Sequence, residues 1–503
     1  MQLLTPNEMS QADRRAVEAG PMLGIDLMRR AGAAVAAEVL ERFADARELH
    51  VLCGPGNNGG DGYVVAELLK RAGMDVALFG SGEPRKGSDA AVAAAECSVW
   101  PQPLAAYHPV SGSVVVDAIY GAGLARGVDG DARRVIELTN EAAVPVVAVD
   151  LPSGVSGETG QILGTSFRAS VTVTFVRKKP GHLLLPGRTA CGEVVVADIG
   201  IADEIIDSIA PRCFENVPPL WRGSSPTPGI EAHKYSRGHV AVFSGAATAT
   251  GAARLSAHAA ARIGAGAVTM LSPAEALAAN AAHLTSIMLR KADSVADALA
   301  FARERRPRAW VYGPGLSPTA DTAQRLMELF DGWPHPFAAV VDASGLTALA
   351  STPGLLVPPF GGRQHDLVVT PHEGEFRRLF PDLSADRLPS KVERARQAAR
   401  RIDGVVVYKG PDTVIAAADG RAAINANGTP WLATAGSGDV LSGLVAGLLA
   451  QGMPAFEAAC AAVWIHAEAA AQFGAGLMAE DLPSAILPVI KELFEYSGGR
   501  DRS

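Results

Sequence analysis

The strongest constraint on the fold is a repeated pattern: short apolar runs rich in β-branched residues, each ending on a polar or glycine-rich tip. Leu49–Cys53 is the first, followed by a glycine-rich loop and an amphipathic stretch, 63–72, with Gly73 as its C-cap; 75–79 begins the next strand. Runs 113–116 and 144–149 end on Asp117 and Asp150, and 171–176 and 193–198 read as later strands. Uninterrupted apolar runs of this length suit parallel strands buried on both faces, and 49–79 predicts a βαβ unit. In open parallel sheets ligands collect outside the carboxyl ends of the strands. Asn57, Asn58, Asp117 and Asp150 all fall there.

A chain of 503 residues exceeds one ordinary core. Residues 8–43 carry helical apolar spacing, with Gly20-Pro21 as a break between two helices. Segment 202–232 is rich in proline and serine and reads as a linker, which places the boundary near 216 and the domains at 1–215 and 216–503. The second half restarts with a strand at His239–Phe243, a small-residue loop and a helix over 251–263; further strands are expected at Ala309–Tyr312, 338–341, 367–370 and Val405–Tyr408. The expected fold class is α/β: an N-terminal Rossmann-like three-layer sandwich and a second, unlike α/β domain.

A net charge of −8 argues against nonspecific nucleic-acid binding, which needs clustered cations on phosphates. The local run Arg303-Glu304-Arg305-Arg306 contains an acid and reads as a solvated helix face. Five scattered cysteines lack zinc or disulfide spacing and suit a reducing compartment. The N-terminus puts polar residues where a signal peptide needs an apolar core, and no apolar run is long enough to span a bilayer. The expected setting is the cytoplasm, with small-molecule partners and neither nucleic acid nor membrane. The Met- and Ala-rich stretch 8–43 is the candidate surface for a homo-oligomer.

Two motifs carry chemistry. In "GPGNNGGDG" the spacing Gly54-x-Gly56-x-x-Gly59 matches a dinucleotide fingerprint, yet no acid stands at the tip of the next strand to bind a ribose. Asn57, Asn58 and Asp61 instead offer oxygens; with Asp117 and Ser153 these suit a hard cation, or else they cap a helix starting near Gly62. Asp150 alone is equally a strand-end cap. Late in the chain, Gly436-Ser437-Gly438 precedes Asp439 at the head of an apolar helix. Backbone N–H groups and the helix dipole there converge on an anion beside a carboxylate, an arrangement for phosphoryl transfer in which Asp439 accepts a hydroxyl proton. The alternative is a glycine loop with an N-cap aspartate. Lys409 reads as an exposed strand-end cation, His372 as a polar turn residue, and Glu373 and Glu375 as solvated acids.

"GPGNNGGDG", "DAIYGAGLARG", "VDLPSG" and the early "LMRRAG" together resemble the NAD(P)H-hydrate epimerase family over roughly residues 8–210. "HKYSRGHVAVFSG", "YGPGL", "VVTPHEGE", "VVYKGPDTVI" and the AGSGD segment resemble the ribokinase-like NAD(P)H-hydrate dehydratases over roughly 222–497. The first resemblance implies hydrate-binding segments at Asn57, Asn58, Gly59, Gly60 and Asp61, and at Gly121, Ala122, Gly123, Leu124, Ala125, Arg126 and Gly127. It also implies potassium on Asn58, Asp117 and Ser153, and Asp150 as a proton-transferring carboxylate against the hydrated ring. The second implies Asp439 as catalytic base, a nucleotide held by Lys409, Gly410, Pro411, Asp412, Thr413 and Gly438, and a hydrate pocket lined by Ala253, Gly315 and His372. His233, Lys234 and Tyr235 would form an access loop.

The joint implication is repair of hydrated NADH and NADPH: epimerisation of the R and S forms, then dehydration of the S form with ADP as phosphoryl donor and Mg2+ at the same step. Ser344 in "DASGL", the segment "GAATATGAARL" and Trp431 depart from the family's commonest forms around the hydrate pocket. A vitamin or sugar kinase would use the same Asp439 machinery but leaves the N-terminal domain without a role. A nicotinamide-binding sensor would need only the grooves, and a dehydrogenase would act without nucleotide.

Overall fold

The structure, a computed structural model, describes residues 1–352 and 365–495. The chain forms two compact units, one of residues 2–213 and one of residues 214–503 with Met1.

In the N-terminal unit, Thr5 caps helix α1 (Pro6–Ala19): its hydroxyl accepts from Glu8 N at 3.2 Å while the Glu8 carboxylate accepts from Thr5 N at 2.8 Å. This reciprocal box, with Pro6 in the first turn, fixes where the helix starts. Helix α2 (Gly24–Arg42) follows the expected break. The sheet comprises β1 (Leu49–Cys53), β2 (Val76–Gly80), β3 (Gln102–Pro103), β4 (Val114–Ala118), β5 (Val146–Val149), β6 (Val171–Phe175) and β7 (Glu193–Ala197). Its order is β3-β2-β1-β4-β5-β6-β7, with parallel pairing throughout. Every residue of β1, β4, β5 and β6 is buried, which is why these strands read as runs dominated by apolar and β-branched residues. The strand order reverses between β1 and β4, and a ligand crevice is expected there.

Helix α3 (Asn57–Arg71) starts earlier than the sequence suggested. Asn57 through Asp61 are its first turns and not a loop. Gly54 and Gly59 allow this: a Cβ on Gly54 would lie 2.0 Å from Ile119 O, and one on Gly59 would lie 1.8 Å from Gly54 O. The apolar residues of α1 and α2 are largely spent internally, Ala12, Ala16, Leu27, Met28, Val35 and Val39 being buried in the unit's own core.

The C-terminal unit's sheet contains β8 (His239–Phe243), β9 (Ala267–Ser272), β10 (Met288–Lys291), β11 (Ala309–Tyr312), β12 (Phe337–Val341), β13 (His365–Val369), β14 (Val405–Tyr408), β15 (Val414–Ala417) and β16 (Ala422–Ile424). These run in the order β16-β15-β14-β13-β12-β11-β8-β9-β10, parallel except where β15 meets β14 and β16. Helix α4 (Thr250–Arg262) packs against α5 (Ser437–Ala450) through small residues: a Cβ on Gly443 would lie 2.1 Å from Ser256 O, and one on Gly447 2.8 Å from Ala260 O. That close approach fixes the position of the N-terminal turn of α5. Among the described residues no helix is long and apolar enough to cross a membrane.

Candidate functional sites

The N-terminal unit has an open cleft of about 1220 Å3 at the point where its strand order reverses. Asn57, Asn58 and Asp61 of α3, the turn Gly121, Ala122, Gly123, Leu124, Ala125 and Arg126 after β4, and Asp150 after β5 all line it. Gly59, Gly60 and Gly127 do not. Gly60 faces the Met28 side chain and Gly59 the backbone of Gly54, so both serve helix packing; Gly127 is exposed. Gly121 lies where two functional groups meet, since a Cβ there would stand 2.9 Å from Asn58 Oδ1 and 3.2 Å from Asp150 Oδ2.

Asp150 adopts a left-handed backbone at φ 66, a conformation aspartate tolerates better than most residues. Its Oδ2 accepts from Ala122 N at 3.0 Å, and its Oδ1 from Thr174 Oγ1 at 3.0 Å and Lys179 Nζ at 2.7 Å. Lys179 is buried, and its ammonium also donates to Thr174 Oγ1 and Phe175 O. His182 accepts from Lys179 N through Nδ1, so Nε2 carries the proton donated to Asp150 O at 2.8 Å. Burial alone would raise the Asp150 pKa; the Lys179 charge and these hydrogen bonds outweigh it and hold the carboxyl down at about 2. A carboxylate held ionised in this way is a weak base.

Besides Asp150 the cleft is lined by the acids Asp13, Glu18, Asp61 and Asp89. Burial pushes Asp13, on α1, up to about 6 against the pull of Lys179, and it pushes Asp61 well above the carboxylate range, with Asp150 and Asp13 adding repulsion. Neither Lys179 nor Asp13 was singled out in the sequence. Lys179 sits in "RKKPG", which reads as a charged turn, and Asp13 in a helix of mixed polarity.

Asp117 is fully buried in β4 and accepts from Ser153 N and Ser153 Oγ, each at 2.6 Å. Burial raises it to about 7, and no cation pairs with it among the described residues. Asn58 Nδ2 is buried without a hydrogen-bond partner among the described residues.

In the C-terminal unit, Gly436 (φ 92) is the N-cap of α5, and Asp439 lies inside the first turn, not at the cap. Ser256 Oγ, one turn beyond Ala253, donates to Asp439 O at 2.8 Å. Lys409, at the end of β14, is mostly buried and not solvated as its position suggested: its side chain is 20% exposed and Nζ donates to Asp342 Oδ1 at 2.9 Å. Asp342, just past β12, also accepts from Ser442 Oγ at 2.6 Å. A Cβ on Gly438 would lie 3.3 Å from Lys409 Nζ and 3.7 Å from Asp342 Oδ2, so the glycine leaves the ammonium beside the helix N-terminus. Burial raises Asp439 to about 6, with repulsion from Asp342 adding and attraction to Lys409 opposing. Burial works against the charge of Lys409, but Asp342 and Glu375 more than offset it.

Glu375 is buried, contrary to the solvated acid expected, because it closes a capping box with His372, whose N donates to Glu375 Oε2 at 2.9 Å. Glu373 accepts a hydrogen bond from Tyr408. Lys391 grips the segment after β14, donating to Asp412 Oδ1 at 2.6 Å and standing 2.8 Å from where a Cβ on Gly410 would be; Thr413 Oγ1 closes the turn onto Gly410 O at 2.7 Å. Ala253 is buried, Gly315 packs against Ala249 O, and the His372 side chain is largely exposed. Asp342 was missed although its place, an acid ending a buried apolar run, repeats that of Asp150.

Residues 240–491 match the family described as NAD(P)H-hydrate dehydratase, and residues 24–181 match the family described as YjeF-related protein N-terminus. The bifunctional NAD(P)H-hydrate repair enzyme of Salinibacter ruber is 35% identical, covering 98% of this chain and 96% of that protein. The enzyme of the same description from Moorella thermoacetica is also 35% identical, covering 98% of each. A ribokinase-like superfamily protein from Enterococcus faecalis superposes on 56% of this chain and 96% of its own, at a TM-score of 0.50 and 22% identity, a likeness of fold. With two unlike α/β units, matches to both families and full-length relatives at this identity, the chain belongs to the bifunctional NAD(P)H-hydrate repair enzymes.

Proposed function

We propose that residues 1–215 interconvert the R and S hydrates of NADH and NADPH, and that residues 216–503 dehydrate the S form at the expense of ADP. The observation that carries the second half is the placement of Asp439 in the first turn of α5, beside the Lys409 ammonium. Backbone N–H groups and the helix dipole favour an anion there, and Lys409 and Gly438 border the same space. The ring hydroxyl is a poor leaving group. Asp439 takes its proton as the oxygen attacks the terminal phosphoryl group of ADP, which departs as AMP. The ring then expels phosphate, drawing on the lone pair of its nitrogen, and loses a proton from the adjacent carbon to restore the reduced nicotinamide.

The segment Lys409, Gly410, Pro411, Asp412 and Thr413, held by Lys391, supports the nucleotide reading; nothing in it excludes ATP. Ala253, Gly315 and His372 are the proposed hydrate contacts in this unit. Phosphoryl-transfer magnesium is bound through one or two carboxylates and phosphate oxygens. The buried acids Glu375 and Asp342 fit such a role, and the ion would neutralise charge on the transferring group. In the N-terminal unit, Asn58, Asp117 and Ser153 would hold potassium. The oxygen donors and the buried Asp117 carboxyl without a cation fit a hard monovalent ion, which would supply a fixed positive charge beneath the cleft. The proposed setting is the cytoplasm.

The test is hydrated NADH with ADP, followed by return of the reduced-nicotinamide absorbance. Asp439→Asn is expected to abolish that return and spare R/S interconversion. Return of absorbance without nucleotide, or full activity in Asp439→Asn, would refute the reading.

A further inference from the structure

Water adds to an enamine at the carbon next to nitrogen, so the hydrated nicotinamide is a hemiaminal at that carbon. Inverting it requires a group that both gives and takes a proton at the hydroxyl and the ring nitrogen. Asp150 is poorly placed for this, because both its oxygens already accept hydrogen bonds, and the three protons of the Lys179 ammonium are engaged by Asp150, Thr174 and Phe175 O. Helix α1 turns one face to the cleft, through Pro6, Met9, Asp13 and Val17 at three- and four-residue spacing. Asp13 is the acid on that face, half-buried, and its side chain has no hydrogen-bond partner among the described residues.

We propose that Asp13 is the proton carrier of the epimerisation, acting on the hydrated ring from the α1 side of the cleft. The proposal rests on the epimerase reading of this unit. Starting as the carboxylic acid, Asp13 gives its proton to the ring nitrogen while its other oxygen takes the hydroxyl proton. The carbon–nitrogen bond breaks with its electron pair going to nitrogen, leaving an open-chain aldehyde and a neutral amine. Rotation about the neighbouring carbon–carbon bond and the reverse transfer close the ring on the opposite face, with no atom or electron gained or lost.

The charged groups around Asp13 are Arg14 and Glu18 on its own helix and, across the cleft, Asp61, Asp89, Arg126, Asp150 and Lys179. Burial, with Asp150 repulsion added and Lys179 opposing, places Asp13 at about 6, where both protonation states are populated near neutrality. Asp61, more deeply buried, is shifted in the same direction by burial, with Asp150 and Asp13 adding repulsion.

The experiment follows R/S interconversion chromatographically against pH for the wild type, Asp13→Asn and Asp13→Glu, with hydrate affinity measured in parallel. Asp13→Asn is expected to lower kcat by about 10²–10⁴-fold with hydrate affinity retained, and Asp13→Glu to recover part of the loss. The wild-type profile is expected to bend near pH 6. Wild-type kcat in Asp13→Asn, or a flat wild-type profile across that region, would overturn the inference while leaving the epimerase reading intact. A wild type that does not interconvert the epimers at all would refute both.

Discussion

Replacing Lys179 by methionine keeps the length of the side chain and removes the cation paired with Asp150. The ammonium is 1% exposed, the carboxylate 17%, and they stand 2.7 Å apart. At an effective dielectric of about 20, unit charges at that separation attract by about 6 kcal/mol. Part of this offsets the desolvation of both groups, and removing one partner from a buried pair typically costs about 3–5 kcal/mol. Asp150 would keep Thr174 and Ala122 N but lose its strongest donor. Tryptophan fluorescence reads mainly the other unit, since Trp100 is the only tryptophan before residue 214. Hydrogen exchange of the β4–β6 amides reads the N-terminal unit directly, and protection is expected to fall by about two to three and a half orders of magnitude.

The pH dependence has a definite sign. In the wild type the folded pKa of Asp150, about 2, lies below its unfolded value, so the stabilisation is complete above the unfolded value and lost as pH falls through 2. In Lys179→Met burial is opposed only by the remaining hydrogen bonds and His182, so the Asp150 pKa rises; the deficit is then largest at neutral pH and shrinks on acidification. Adding Asp150→Asn to Lys179→Met should cost less than the sum of the single changes. A loss below about 1 kcal/mol, independent of pH, would refute the ion-pair account.

Other outcomes follow from the same geometry. Dehydration should fall about tenfold per pH unit below about 6, because Asp439 must be ionised to accept the hydroxyl proton; a rate independent of pH between 4 and 7 would exclude it as base. Lys409→Met removes the attraction that lowers Asp439, so that limb should move to higher pH while kcat drops, as steady-state assays over pH would show. Gly59→Ala places a Cβ 1.8 Å from backbone oxygen, which cannot rotate away, and should destabilise the N-terminal unit by about 1–3 kcal/mol or more in thermal melts.

The sheets were legible where strands are buried on both faces, since β5, β11 and β14 are apolar without interruption and β1 and β4 each carry a single polar residue, His50 and Asp117. Among the described residues, several strands of the C-terminal sheet went unread. Met288–Lys291 is an edge strand with mostly exposed residues, and Val414–Ala417 and Ala422–Ile424 are short, alanine-rich and antiparallel. Ala267–Ser272 is fully buried and was passed over as well. The expected loop at Asn57–Asp61 became helix because glycines let α3 begin against the backbone of the preceding strand, a contact no local pattern reveals.

Sequence alone determined two parallel α/β units, the strand tips at which Asp117 and Asp150 end, and the helix start that carries Asp439, because each is written in contiguous residues. Tertiary structure decided the protonation states. Lys179 reaches Asp150 across 29 residues, and Lys409 reaches Asp342 across 67. Burial sets the pKa values of Asp13, Asp61 and Asp439, and burial depends on elements distant in the chain. Whether a carboxyl is a fixed anion or a proton carrier depends on its solvent and neighbours, and these exist only once the chain has folded.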